Sequence, residues 1–454
     1  MATAATSNHE TQPTARPTFG EAFAVWLKIG LLSFGGPAGQ IALMHRIVVD
    51  EKRWVAEDRF LHALNYCMLL PGPEAQQLAT YIGWLLHGVR GGLVAGLLFI
   101  IPGSIVILAL SFIYVLFKGV PLLDAVFLGV KAAVLVVVIE ALLRIAKRVL
   151  KNAVMKAIAI VAFLAIFVGD APFPLIVLSA GLIGYLASRA GDARFEVLAS
   201  DASDVENQDP APAARPLWRS GVVLVTGLLL WAGPIAAVAL WLGRDHVLVT
   251  EGVFFSKLAV VTFGGAYAVL AYMAQQAVDT YAWLAAGEML DGLGLAESTP
   301  GPLIMVTQFV GFLGAYRNPA PFDPATAAVL GSAITVWATF VPCFLWIFLG
   351  APYVERLRYN RYLNAALSTI TAAIVGVIAN LAVWFGLHVL FADVSTLSIG
   401  PLRLLAPTLA SLDMLALGLA VLAAFALLRF HINVIWTLLG CAVLGVVASL
   451  AGIT

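Results

Sequence analysis

The sequence predicts an all-α polytopic membrane protein built from two inverted-topology repeats, with broken or re-entrant helices at two recurring motifs. Three observations predict it. The chain of 454 residues is 61% hydrophobic and only 11% charged, with mean hydropathy +0.95, whereas soluble domains carry about 25% charged residues. Phe34-Gly35-Gly36 recurs as Phe263-Gly264-Gly265 and Pro71-Gly72-Pro73 as Pro300-Gly301-Pro302, both displaced by 229 residues (264 − 35 and 301 − 72). The loop charges of the two copies are distributed in opposite senses, as an inversion requires.

The duplication extends beyond the two motifs. Lys28 and Lys257, Ser33 and Thr262, Met44 and Met273, Asp50 and Asp279, and Trp54 and Trp283 stand in register at the same displacement without a gap. Apolar runs of membrane-crossing length cover 90–117, 122–143, 153–169, 172–188, 218–242, 326–350, 362–390, 404–428 and 431–452, giving nine crossings. Stretches such as residues 134–139 are apolar on every side, which excludes the alternation of barrel strands. Residues 1–18 read as a disordered polar N-terminus without the charged start and small-residue cleavage site of a signal peptide. Residues 19–188 form the first repeat and 189–217, with six acids and a Pro-Ala run, a flexible polar linker. Residues 218–242 form a connecting transmembrane helix and 243–454 the second repeat.

Orientation follows from basic residues. Arg46, Lys52, Arg53 and Arg59 after the first motif, and Arg144, Lys147, Arg148, Lys151 and Lys156, belong on the cytoplasmic side. Their counterparts at 275–299 and 388–402 contain no Lys or Arg, while the weakly charged turn at 118–121 corresponds to a segment holding Arg356, Arg358 and Arg361. Inversion needs an odd number of crossings between equivalent points. Five are available, provided that the FGG and PGP segments enter and leave on one side, which is tolerated where irregular backbone is buried in protein.

Charge is balanced at 26 basic and 26 acidic residues, so no field calls for nucleic acid. Cys67, Cys343 and Cys441 stand singly, and His45, His62 and His87 lack metal-ligand spacing; no metal or cofactor is expected. A membrane-embedded enzyme would need a nucleophile with a base or a metal cluster, and neither is evident. The expectation is a transporter, not an enzyme.

The breaks carry the chemistry. Pro37, Pro73 and Pro302 each follow a Gly and suit a first helical position, where a missing N–H costs nothing. Half-helices are therefore expected to begin at residues 37, 73, 266 and 302, with free N–H groups and positive dipole ends facing the repeat interface as an anion site. Gly-rich breaks also serve as close-packing points between helices; two motifs duplicated at one spacing favour the site. Lys28 and Lys257 lie seven residues before the first Gly of each FGG, about 10 Å along a helix, as candidate cations that otherwise snorkel. Glu74 either stabilises a helix dipole or carries a coupling proton; Leu303 stands at its place in the second copy. Glu140 reads as paired with Arg144 at i+4, with Asn380 as its equivalent.

Gly30-Leu-Leu-Ser-Phe-Gly-Gly-Pro37 with Pro71-Gly-Pro-Glu-Ala-Gln-Gln-Leu-Ala79, repeated as Val261-Thr-Phe-Gly-Gly265 with Thr299-Pro-Gly-Pro-Leu303, strongly resembles the chromate ion transporter family in its long-chain, two-domain form, from about Phe19 to the C-terminus. The resemblance implies export of chromate across the bacterial inner membrane, chromate resistance, the proton motive force as energy source, and competition by sulfate as an isosteric dianion. Sulfate or molybdate transport and a passive anion channel stay open, as does assembly into a homodimer. The candidate oxyanion-binding set is Lys28, Ser33, Phe34, Gly35, Gly36, Pro37, Gln40, Pro71, Gly72, Pro73 and Gln77, with Lys257, Thr262, Phe263, Gly264, Gly265, Pro300, Gly301 and Pro302. Glu74 is the proton-coupling candidate.

Overall fold

The computed structural model describes residues 17–195, 217–263, 266–351, 360–399 and 402–452. Most of the expected polar tail and linker, and the Gly264-Gly265 pair, lie outside these residues. Sixteen α-helices are described, five of them long and apolar enough to cross a bilayer.

The helices repeat element by element. In the first segment α1 is Phe19–Leu32, α2 Gly36–His45, α3 Glu57–Leu69, α4 Glu74–Phe117, α5 Pro121–Val149, α6 Ala153–Phe167 and α7 Phe173–Arg189. Helix α8, Leu217–Leu242, lies between the segments and is almost wholly exposed, as a lipid-facing helix would be. The second segment contains α9 Val247–Val261, α10 Ala266–Gln275, α11 Ala286–Ser298, α12 Val306–Arg317, α13 Pro324–Gly350, α14 Arg361–Leu390, α15 Met414–Ala424 and α16 Val434–Leu450. Helix α4 is two helices in sequence, since His87 and Gly88 leave helical dihedrals and Gly88 has φ +64°; its halves match α12 and α13. Displacement grows from 229 residues to 240 at Pro102 and Pro342 (342 − 102) and to 261 at the starts of α7 and α16 (434 − 173). The additions fall in connections, the second of them holding an antiparallel hairpin of β1, Val394–Ile399, and β2, Leu402–Pro407.

That hairpin corrects one expectation. The apolar run 404–428 begins in β2, and its helix starts only at Met414; Leu404 and Leu405 raise the hydropathy of a window they do not share structurally. The four helices α6, α7, α15 and α16 have 11 to 17 residues, fewer than the roughly 20 of a full crossing.

Helices α1 and α3 have 14 and 13 residues, about 20 Å each and too short to cross. They form helical hairpins with α2 and the first half of α4. Lys52, beyond α2, pairs with Glu21 at the start of α1 at 3.2 Å, and His87, at the α4 kink, lies 2.9 Å from the carbonyl of Pro17. All four outer ends therefore meet at one end of the long half of α4. At its other end, Lys118 donates to Glu288 in the first turn of α11, and Arg317 at the end of α12 joins Glu288 at 2.7 Å and the carbonyl of Trp283 at 2.8 Å. The hairpins of the second segment open there.

The segments interlock reciprocally. Helices α6 and α7 pack on α14, and α15 and α16 pack on α5. A Cβ on Gly184 of α7 would lie 2.5 Å from the carbonyl oxygen of Ala365, and one on Gly445 of α16 would lie 2.3 Å from that of Ala125; residues 125 and 365 are equivalents (365 − 125 = 240). At the centre, residues 132–138 of α5 and 372–378 of α14 are buried on every side. Small residues let these backbones touch, which supplies packing where lipid offers no hydrophobic contrast.

Gly129→Leu is expected to lower the melting temperature in detergent by several degrees, since a Cβ there would lie 2.0 Å from the Cys441 carbonyl oxygen and overpacking costs about 1–3 kcal/mol. Gly233→Leu in α8, where nothing lies within 4 Å, should leave it unchanged.

Candidate functional site

The sharp reversals between half-helices are made by glycine. Gly35 and Gly36 take φ +83° and +71°, and Gly72 and Gly301 take φ +126° and +98°, values that side chains strongly disfavour. Pro37 falls in the first turn of α2 as expected. Pro73 instead stands one residue before α4, and Pro302 one residue before a 3-10 turn, Leu303–Met305, that leads into α12, both as extended N-caps with ψ +108° and +135°, because the preceding positive-φ glycine leaves the turn one residue to close.

Each break is held by the other segment. The Gly72 N–H donates to the carbonyl of Thr262 at 2.8 Å, and the Gly301 N–H donates to the carbonyl of Ser33 at 2.9 Å. Both pairs are equivalents at 229 residues. The Ser33 and Thr262 hydroxyls turn back on the Ile29 and Leu258 carbonyls, each at 2.6 Å, leaving their own carbonyls for the exchange. Gln40 adds a bond from Nε2 to the Gly301 carbonyl at 2.6 Å, and Gln77 caps the Pro71 carbonyl at 2.7 Å. The Oε1 atoms of both glutamines are buried without a partner.

A small cavity sits where three of the breaks meet the start of α10, lined by Pro37, Gln40, Pro73, Glu74, Ala75, Ala266, Pro302, Leu303 and Ile304. Its volume of about 10 Å³ is near the least that holds one water. The first-turn N–H groups of the half-helices have no intrahelical acceptors, and the positive dipole ends converge. Glu74, half-buried, is the one ionisable side chain of the lining.

The structure thus brings together Pro37, Gln40, Pro73 and Pro302 with Glu74, and sets Ser33, Gly72, Thr262, Gly301, Pro71 and Gln77 immediately behind them. Gly35 and Gly36 form the turn; Phe34 and Phe263 are half-buried beside it, and Pro300 packs its carbonyl on Gly103, where a Cβ would be 2.2 Å away. Lys28 and Lys257 are not brought in. Both stand on exposed helix faces, Lys28 beside Leu31 and Leu32, Lys257 between Val253 and Val260, where the ammonium reaches outward and avoids desolvation. Glu140 pairs with Arg144 as the spacing predicts.

Sequence reasoning missed a second cavity, of about 310 Å³, at the open end of the second hairpins. There Lys131 pairs with Asp291 at 3.2 Å and the Tyr114 hydroxyl donates to Asp291 at 2.9 Å. The equivalents of Glu288 and Asp291 in the first copy are Arg59 and His62, so these two positions are acidic in one copy and basic in the other. The signal was present in the acidic run 275–299, read there only for orientation.

The Chromate transporter family model matches residues 20–185 and 251–446. The chain is 33% identical over 383 residues to the chromate transport protein of Pseudomonas aeruginosa, covering 83% of this chain and 82% of that protein. It is 28% identical to the probable chromate transport protein of Synechococcus elongatus, with coverage of 84% and 87%, and 28% identical to the chromate transport protein of Cupriavidus metallidurans, with coverage of 83% and 84%. No solved structure matches it significantly. With motifs, duplicated helices and a conjoined set of breaks all accounted for, the chain belongs to the chromate transporter family, whose members are membrane transporters and not enzymes.

Proposed function

We propose that the protein is a secondary transporter that exports chromate across the bacterial inner membrane and so confers chromate resistance. The observation that carries this reading is the meeting of four half-helix starts around one cavity, where amide donors rather than lysines would bind a tetrahedral dianion. The cavity is smaller than an oxyanion of five heavy atoms, so entry requires the half-helices to part. An inverted arrangement of the repeats provides that motion, one rocking against the other. It is supported by the hairpins opening at opposite ends of α4 and by the loop basic residues, which the two copies distribute in opposite senses. Sulfate, with the same charge and shape, is the expected competitor.

Glu74 couples the anion to a proton in this reading. Ionised, it repels a dianion at close range; protonated, it donates a hydrogen bond to it. Binding therefore favours the protonated carboxyl and tightens as pH falls. The dianion and the one proton that enters with it, a net charge of −1, then move outward down an inside-negative potential, worth about 2.3 kcal/mol per elementary charge per 100 mV.

Proteoliposomes bearing the protein should show counterflow of labelled chromate that unlabelled sulfate suppresses; uphill accumulation separates the transporter from a passive channel. Chromate affinity should rise severalfold per unit fall in pH for the parent protein and become flat in Glu74→Gln, as titrated by half-saturation of counterflow. Gly36→Leu should abolish counterflow, whereas Lys28→Gln and Lys257→Gln should leave half-saturation within about twofold, since an exposed ammonium is heavily screened.

A further inference from the structure

Among the described residues two buried carboxyls lie outside both cavities, and Glu297 accepts from the Tyr267 hydroxyl, which leaves Glu251. Glu251, in the second turn of α9, has no solvent exposure; no side chain pairs with its carboxyl oxygens, and its one polar neighbour is the Ala315 backbone N–H. It is seated at the crossing of α12 on α13: a Cβ on Gly314 would lie 2.6 Å from Oε1, and one on Gly331 would lie 3.0 Å from Oε2. An ionised carboxylate so enclosed is uncompensated, so the group there is the neutral acid.

The packing does not need this acid. The first copy has Ala22 at the equivalent place, and its own crossing is closed by Gly83 on Gly91, as Gly311 and Gly331 close the second. Where the first copy has Leu85 and Leu86, the second has Gly314, which makes room for the longer side chain. A row of hydroxyls accompanies it. Ser332, Thr335 and Thr339 are buried on one face of α13, their oxygens without partners, and one turn further Cys343 abuts Gly72, whose Cβ would lie 2.9 Å from Sγ. The first copy has Gly92, Ala95 and Phe99 at those positions (displacement 240).

We propose that Glu251 is a second proton-binding site, joined by the Thr335 and Thr339 hydroxyls to the break at Gly72. Opening of the α12–α13 crossing admits water; the carboxyl O–H bond breaks and the proton passes to that water as hydronium, and the carboxylate takes up one proton from water at the Gly72 break, relayed by the Thr339 and Thr335 hydroxyls, before the crossing recloses on the neutral acid. The charged groups on the surrounding elements are otherwise engaged or turned away. Arg317 of α12 and Lys118 are paired with Glu288, Lys131 is paired with Asp291, Lys257 of α9 and Asp279 beyond α10 are exposed, Arg219 lies at the far start of α8, and α13 carries no charged residue. His246, before α9, faces the Ala320 carbonyl.

This rests on the proton-coupled transport reading, and the test separates the two. In proteoliposomes, Glu251→Gln keeps the size and hydrogen-bonding character of the neutral acid. It should retain chromate counterflow while losing at least tenfold in accumulation driven by a pH gradient; Thr339→Val should slow that accumulation severalfold. Gradient-driven accumulation by Glu251→Gln at the parent rate overturns this inference alone, whereas a parent protein without counterflow overturns the transport reading. Infrared spectra give a second measurement independent of transport: the parent should show a protonated-carboxyl C=O band that Glu251→Gln lacks, and an unchanged band overturns the assignment.

Discussion

Two hydrogen bonds define this architecture: Gly72 N–H to the Thr262 carbonyl and Gly301 N–H to the Ser33 carbonyl. A chain broken within a membrane protein leaves amides that no water reaches, and each buried unsatisfied group costs about 1–3 kcal/mol. Here each repeat satisfies the break of the other. Because the two bonds are equivalents of one another, the segments meet as the halves of an isologous dimer do, each surface supplying donor and acceptor. Neither break is stable without its partner segment, so the cavity between them belongs to the pair.

Reciprocity in packing contrasts with difference in chemistry. Helices α5 and α14 occupy the same place in their segments and are buried over the same seven-residue stretch, yet the functional positions diverge: Glu74 faces Leu303, Ala22 faces Glu251, Phe99 faces Thr339, Arg59 faces Glu288. Duplication supplies a frame that brings helix ends together from both sides. The ionisable groups that would couple that frame to protons are then placed once, in one copy or the other, and this is what a directional cycle needs from a nearly symmetric fold.

Much of this was legible in the sequence. FGG and PGP, with Ser33 and Thr262 in register, announced the duplication and the helix starts, because glycine and proline leave the same signature wherever a helix must stop in an apolar segment. The remainder of each repeat was not, since the eleven residues added where α12 passes into α13 and those around the β hairpin break an ungapped register. Lys28 and Lys257 recurred at matched positions, and recurrence alone does not say which helix face looks inward. Glu251 belongs to no motif; its enclosure depends on Gly314 and Gly331, more than sixty residues away, and no local pattern reports a crossing of that kind. Pairing across long sequence separation also hid the Lys118, Lys131, Glu288 and Asp291 cluster.

The central claim is that the four half-helix starts enclose one oxyanion site. An experimental density map of the protein with molybdate, a heavy tetrahedral dianion, tests it most directly. The account predicts a single strong peak among Gln40, Ala75, Ala266 and Leu303. A peak held instead by Lys118 and Lys131, with the breaks unaltered and closed, would contradict it.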